Sequence, residues 1–186
     1  MKIAIVRGDF LGGWEVPVFT PWLKKHEVTI FTGKNPVNKV IIPPGFKVEK
    51  LFSPVDLNFG KISRWKMAIL NRLFIDAHVL FGLEEKLKGF DVAYTGETSY
   101  FFTLQCIWAK RQGFVKKVIV HCFENIPFNN EKIWGRKWLK QTVLHQADKF
   151  IVPTEGARKV LLLEGANPDK ITLLKPGIDL EHFKPL

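Results

Sequence analysis

The chain has 186 residues, of which 46% are hydrophobic and 13% aromatic, and its formal net charge is +10. That length suffices for one domain with a substantial core but not for two full α/β domains, and the composition excludes a disordered chain. Two cysteines, Cys106 and Cys122, exclude a disulfide framework and point to a reducing compartment, here the cytoplasm.

In chain order, Lys2–Val6 is a short β-rich run, and Glu15–Lys25 reads as a helix with Pro17 in its first turn and a kink at Pro21. Glu27–Thr32 and Phe46–Phe52 alternate in the manner of strands, with a proline-rich loop or edge strand, Asn35–Gly45, between them. Lys61–Lys88 is the longest segment of helical period, carried by Ile62, Trp65, Ile69, Leu73, Leu80, Leu83 and Leu87. Asp91–Thr95 is the fourth strand, Ser99–Gln112 a helix ended by Gly113, and Lys116–Cys122 a continuous apolar run of the buried-strand kind. Trp134–Gln146 reads as a helix. The chain then gives a strand at Lys149–Pro153, a helix capped by Thr154 and ended at Gly165, and a strand at Ile171–Leu174.

Strands separated by helices imply parallel βαβ crossovers. The expected fold is therefore α/β, a doubly wound, mostly parallel, Rossmann-like sheet with helices on both faces, spanning residues 1–186 as a single domain. In such sheets ligands lie beyond the carboxyl ends of the strands, so the residues that follow each strand are the candidates.

Gly12-Gly13, with Trp14 beside them, follow the first strand as a plain turn or as a cradle for an anion. Glu97, Thr98 and Ser99 follow the fourth strand, able to cap the next helix or to bind ligand hydroxyls. After the fifth strand come His121, Glu124 and Asn125, where a carboxylate can take a proton and an amide can both donate and accept. Thr154 and Glu155 follow the sixth. The histidines His26, His78, His121, His145 and His182 show no metal-ligand spacing, and neither a dinucleotide fingerprint nor a P-loop is present. No metal and no resident cofactor is expected.

The charge is spread in small clusters, and no nucleic-acid motif accompanies it, so nucleic acid is not an expected partner. A solvated lysine-rich surface and a patch that meets anionic membrane both fit. Two basic aromatic segments, Lys61–Lys66 and Lys132–Lys140, sharpen the question. On a helix Trp134 and Trp138 share one face and Arg136 and Lys140 another, which gives either tryptophans packed on the sheet above a solvated basic face or an interfacial element. No run is long and apolar enough to span a membrane.

The closing wording, Thr-Glu-Gly-Ala-Arg-Lys from Thr154, Gly165, Asp-Lys-Ile-Thr from Asp169, Pro176-Gly177-Ile178-Asp179 and Phe183-Lys184-Pro185, resembles the end of the first domain of retaining GT-B glycosyltransferases of the glycogen-synthase-like and mannosyltransferase-like group. The resemblance implies the N-terminal, acceptor-side domain of an enzyme that moves a sugar from a nucleotide donor to an acceptor hydroxyl, with retention and without an essential metal. It implies that Gly12, Gly13 and Trp14 face the donor phosphates, and that Glu97, Thr98, Asn125, Thr154 and Glu155 line the cleft with Glu124 as the catalytic group. Family members carry a histidine beyond the fifth strand; that position falls on Glu124, while His121 lies inside the strand, and which of the two takes the role stays open. The family's pair of glutamates eight positions apart belongs to the sugar-nucleotide domain, and no two glutamates here have that separation. Many relatives use lipid-linked acceptors, so a location at the inner face of the cell membrane is consistent with the resemblance. By itself this domain is expected to be inactive or nearly so. The alternative is a non-catalytic basic domain that binds membrane surfaces or polyanions.

Overall fold

The computed structural model describes residues 1–35, 37, 40–57, 69–73, 75–175 and 177. The Lys61–Lys66 segment, the start of the predicted long helix and the Ile178–Asp179 and Phe183–Pro185 parts of the closing motif lie outside the described residues. Among the described residues seven strands form one fully parallel sheet: β1 (Lys2–Gly8), β2 (Glu27–Gly33), β3 (Lys47–Leu51), β4 (Phe90–Gly96), β5 (Val115–His121), β6 (Lys149–Val152) and β7 (Ile171–Leu173). Their order is β3-β2-β1-β4-β5-β6-β7, so the chain reverses its direction of travel across the sheet between β1 and β4. All seven expected strands are present, with ends displaced by a residue or two.

Among the described residues, besides the helical stretch 69–73, the helices are α1 (Val16–Phe19), α2 (Leu83–Lys86), α3 (Phe101–Arg111), α4 (Arg136–Gln146) and α5 (Glu155–Leu163). They cover the two faces unequally. Leu83, Leu104, Ile107, Leu139, Val143 and Leu161, from α2 through α5, pack on the face that carries Ala4, Val6, Val118, Val120 and Phe150. The other face, with Ile5, Val28, Ile30 and Tyr94, is covered by Val16 and Phe19 of α1 and by the turn that follows it. The inner strands β1 and β2 are buried on both sides beyond their first residues, so the alternation expected of Glu27–Thr32 does not mark a solvated face: Thr29 and Thr32 are enclosed along with Val28, Ile30 and Phe31.

Three expectations about helices are corrected. Glu15–Lys25 is one α-turn followed by a 3₁₀ segment, Thr20–Lys24, because Pro21 has no N–H for the α ladder. Lys61–Lys88 is not one helix. Residues 69–73 are helical, but Ile75 and Gly82 take left-handed backbone (φ 64° and 79°) before α2 begins. Side chains capture the backbone between them: Asn71 Oδ1 accepts from the Ala77 N–H at 2.9 Å, and Gln105 of α3 bonds both the N–H and the carbonyl of Leu80. Those bonds take the place of the i to i+4 ladder.

The third correction inverts a face. Gly135 is left-handed (φ 78°), so Trp134 sits outside α4 and does not share a helical face with Trp138. Both tryptophans are exposed, while Arg136 and Lys140 are buried. Arg136 donates to the carbonyls of Ser99 and Ile75 and pairs with Asp76. Lys140 pairs with Glu164 at the end of α5 and with Glu131.

Candidate functional site

The loops beyond β1, β4, β5 and β6 converge at the carboxyl ends of the strands, around Phe123. The β1 loop begins at Arg7, whose guanidinium forms a buried ion pair with Glu15 (2.6 Å). The second oxygen of that carboxylate accepts from the Gly12 N–H at 3.0 Å. An internal carboxylate therefore holds the glycine turn, and α1, a single turn, adds little dipole of its own. Arg7 also explains Gly96: a Cβ there would stand 1.5 Å from Arg7 Nη1. That Nη1 is buried without a hydrogen-bond partner among the described residues.

Beyond β4, Glu97 occupies left-handed backbone (φ 57°), donates its N–H to the His121 carbonyl and accepts from the Phe123 N–H at 2.8 Å. Burial raises its carboxyl above the ordinary range, the Phe123 N–H opposing the shift. Thr98 is buried and makes no cap bond. The N–H of Phe101, at the start of α3, is instead satisfied by Asp76 at 2.7 Å, a residue from a distant loop.

Beyond β5, His121 forms a 2.6 Å hydrogen bond through Nδ1 with the Tyr94 hydroxyl, and its ring lies 4.1 Å from that of Phe123. Burial, reinforced by the Arg7 charge, pushes the imidazole down to about 4, and burial also pushes the Tyr94 phenol up. At neutral pH the pair is thus uncharged; with the phenol donating, Nδ1 accepts and the proton sits on Nε2. Trp14 meets Phe123 edge-on at 5.6 Å, which joins the β1 and β5 loops. Thr154 donates to Asn125 Oδ1 at 3.0 Å and accepts from the Ala157 N–H, so it caps α5 and ties the β6 loop to the β5 loop. Gly156 is what lets Asn125 lie there, since a Cβ would stand 2.7 Å from its Oδ1.

Of the residues singled out from sequence, Gly12, Gly13, Trp14, Glu97, Asn125 and Thr154 belong to these converging loops. Glu124 is beside them, but its two oxygens accept from the Ile126 N–H and from Asn129 within its own loop. Glu155 is exposed and reaches Arg158 along its own helix. Sequence reasoning passed over Arg7, Glu15 and Tyr94. The available signal was Arg7 itself, a charge closing an otherwise apolar central strand. Among the described residues no group of three or more acidic, histidine or cysteine side chains is placed to hold a metal ion, and no helix is long and apolar enough to cross a membrane.

Next to this convergence is a cavity of about 400 Å³, walled by Trp14, Val18, Phe19, Trp22, Phe123 and Ile151, with Tyr94, His121, Glu15 and Lys175 also at its lining. A second cavity of about 480 Å³ lies at the opposite, amino ends of the strands, where Lys47–Glu27 and Lys86–Glu49 ion pairs line it. Parallel sheets carry their chemistry at the carboxyl ends, so the aromatic cavity belongs to the candidate site.

Comparison with known proteins agrees with this geometry. The chain is similar to Anabaena HepE solved with UDP (TM-score 0.66, 12% identity), covering 97% of this chain and 45% of that one. It is similar also to the lipopolysaccharide outer core galactosyltransferase WaaB (TM-score 0.53, 14% identity, 97% and 47% covered). A sucrose-phosphate synthase structure from Thermosynechococcus elongatus (TM-score 0.57, 16% identity) is matched over 98% of this chain and 92% of that one. At those identities the likeness is one of fold. Among curated sequences, D-inositol 3-phosphate glycosyltransferases of Mycobacterium tuberculosis and Mycobacterium bovis are 45% identical over 47 residues, 25% of this chain and only 10% of theirs. A model of Glycosyltransferase Family 4 matches residues 22–182, and the chain belongs to that family, with a Rossmann-like fold that spans a little under half the length of the HepE and WaaB structures it resembles.

Proposed function

We propose that the chain supplies the acceptor side of a glycosyltransferase that moves a sugar from a nucleotide-sugar donor to an acceptor hydroxyl with retention. The observation that carries this reading is the convergence of the β1, β4, β5 and β6 loops on one wall, in a chain whose family match spans most of its length. HepE, of the same fold, is solved with UDP and with UDP-glucose, which supports a nucleotide-sugar donor here. On this reading Gly12, Gly13 and Trp14, with Arg7 behind them, face the donor phosphates. Glu97, Asn125 and Thr154 contribute hydroxyl contacts from the same rim, with Thr98 behind it and Glu155 at the first turn of α5 beside it. Glu124 takes the proton of the acceptor hydroxyl, exchanging its Asn129 bond for it, while neutral His121 hydrogen-bonds the same substrate. No step needs a metal or a resident cofactor. The chemistry also needs an opposite wall, so this chain alone turns over little or no donor.

The test is calorimetric titration of the chain with UDP and UDP-glucose, together with a turnover assay. The expectation is binding weaker than about 1 mM and no glycosyl transfer or donor hydrolysis at enzymatic rates. Micromolar binding, or turnover near 1–10 per second (about the usual enzyme range), overturns the half-site reading.

A second reading is favoured by one feature. Ile126, Phe128, Trp134 and Trp138 are all exposed on the stretch between β5 and the first turn of α4, with Lys132 and Lys137 beside them. We propose this stretch as the face by which the protein lies against an anionic membrane on its cytoplasmic side.

A further inference from the structure

We infer that the aromatic cavity beside His121 binds an apolar, ring-bearing molecule through its flat body, with one hydroxyl reaching the His121–Tyr94 pair, and that this is the class of acceptor the wall takes. The inference rests on the transferase reading for the word acceptor, and on the cavity alone for the ligand class.

A cavity of about 400 Å³ is the size of a small-molecule site. Its walls are rings and branched aliphatics from three separate segments: Trp14, Val18, Phe19 and Trp22 from the stretch after β1, Phe123, and Ile151. The rings meet one another edge-on or tilted, Phe19 with Trp22 at 5.1 Å and Trp22 with Tyr94 at 5.6 Å, so they present faces and edges of fixed orientation. Trp14 is 61% exposed and Val18 53% exposed, although both stand on this wall. Large apolar groups left open next to a converging set of polar ones mark a binding surface.

The polar groups are few and lie together. His121 and Tyr94 are bonded to each other at 2.6 Å, and Glu15 is committed to Arg7 and the Gly12 N–H. Lys175 is the one cation among the described lining residues. A phosphorylated polyol would have to leave water for a lining of rings, with a single exposed lysine to offset its charge, whereas anion sites gather several cations or N–H groups. A molecule with an apolar ring system and one hydroxyl matches the lining at every point. It buries its rings between Trp14 and Trp22 and gives the hydroxyl to the His121–Tyr94 pair, the uncharged polar groups among the described lining residues.

The experiment is fluorescence titration of the chain with 2-naphthol, reading tryptophan quenching, with inositol 3-phosphate as the charged comparison. Val18→Asp places a carboxylate in the apolar wall and Trp14→Ala removes a face; both positions are largely exposed, and circular dichroism melting verifies that each variant folds. Saturable 2-naphthol binding below about 1 mM, weakened about tenfold or more by either variant and not displaced by inositol 3-phosphate, is the expected result. No saturable binding, binding indifferent to Val18→Asp, or tighter binding of inositol 3-phosphate overturns it. So does concentration-dependent dimerisation in sedimentation that Val18→Asp abolishes, because a second copy would then be the occupant. Rapid UDP-glucose turnover by the chain would end the half-site reading yet leave the naphthol result intact, so the two failures are distinguishable.

Discussion

His121 is the side chain whose chemistry depends most on its surroundings. Burial and the Arg7 charge hold its imidazole down at about 4, against about 6.5 in an unfolded chain. Between those values the unfolded chain binds a proton that the native state refuses, so the contribution of this group to stability is intact above pH 6.5 and is lost as the pH falls toward 4. The site is partly solvated, which screens the effect to about 1–2 kcal/mol. The expected NMR titration of the His121 ring has its midpoint near 4, and His121→Gln flattens the stability curve between pH 4 and 6.5. A midpoint near 6.5 would mean that the ring is not held as described. Two glycines show the same dependence on neighbours. Gly96 accommodates Arg7, and Gly33 accommodates Asp9, whose Oδ1 would lie 1.7 Å from an added Cβ.

The elements that carry the site are held by buried ionic contacts. Lys140 and Glu164 are each about 2% exposed, and Glu164 also accepts from the Phe128 N–H. This pair anchors the loop between β5 and α4, the loop that carries Glu124 and Asn125, to the ends of α4 and α5. Lys140→Met leaves the Glu164 carboxylate buried without its countercharge, at a cost of about 3–5 kcal/mol in urea unfolding. The double variant Lys140→Met, Glu164→Leu recovers part of that loss, because the buried Glu164 charge is gone while Glu131 and the Phe128 N–H lose their partners. Equal losses in the single and double variants would show that packing rather than charge governs the contact. Arg136, at the start of α4, does the corresponding work for the 75–82 loop, binding Asp76 and the Ile75 carbonyl.

At the scale of the whole molecule, charge and exposed apolar surface act together. The chain carries +10, yet Arg136 and Lys140, which looked like part of a solvated basic face, point inward, and the tryptophans beside them point outward. Attachment to a membrane would therefore depend on the aromatic groups at least as much as on the charge. The expected outcome of co-sedimentation is binding to vesicles with anionic lipid, reduced about tenfold by Trp134→Ser with Trp138→Ser. Binding unaffected by that double change, or equal on neutral vesicles, would remove this face as the contact.

The seven strands, their parallel arrangement and the glycine turn after β1 were legible in the sequence because they rest on local signals. These are apolar runs of strand length, left-handed glycines at helix ends, and a threonine cap at α5. Thr154 and Gly165 behave as their types dictate, one bonding the Ala157 N–H and the other taking φ 96°. What sequence could not settle was decided by contacts between distant segments. The period of residues 69–88 is helical, but Asn71 within the segment and Gln105 from α3 break it by bonding its backbone. Arg136 and Lys140 read as surface cations until Asp76 and Glu164, 60 and 24 positions away, bring them into the interior. The polar centre of the site, Arg7 with Glu15 and Tyr94 with His121, likewise depends on side chains that only the folded sheet brings within hydrogen-bond reach. Local propensity is written residue by residue, whereas the pairing of a buried charge is a property of the packed chain.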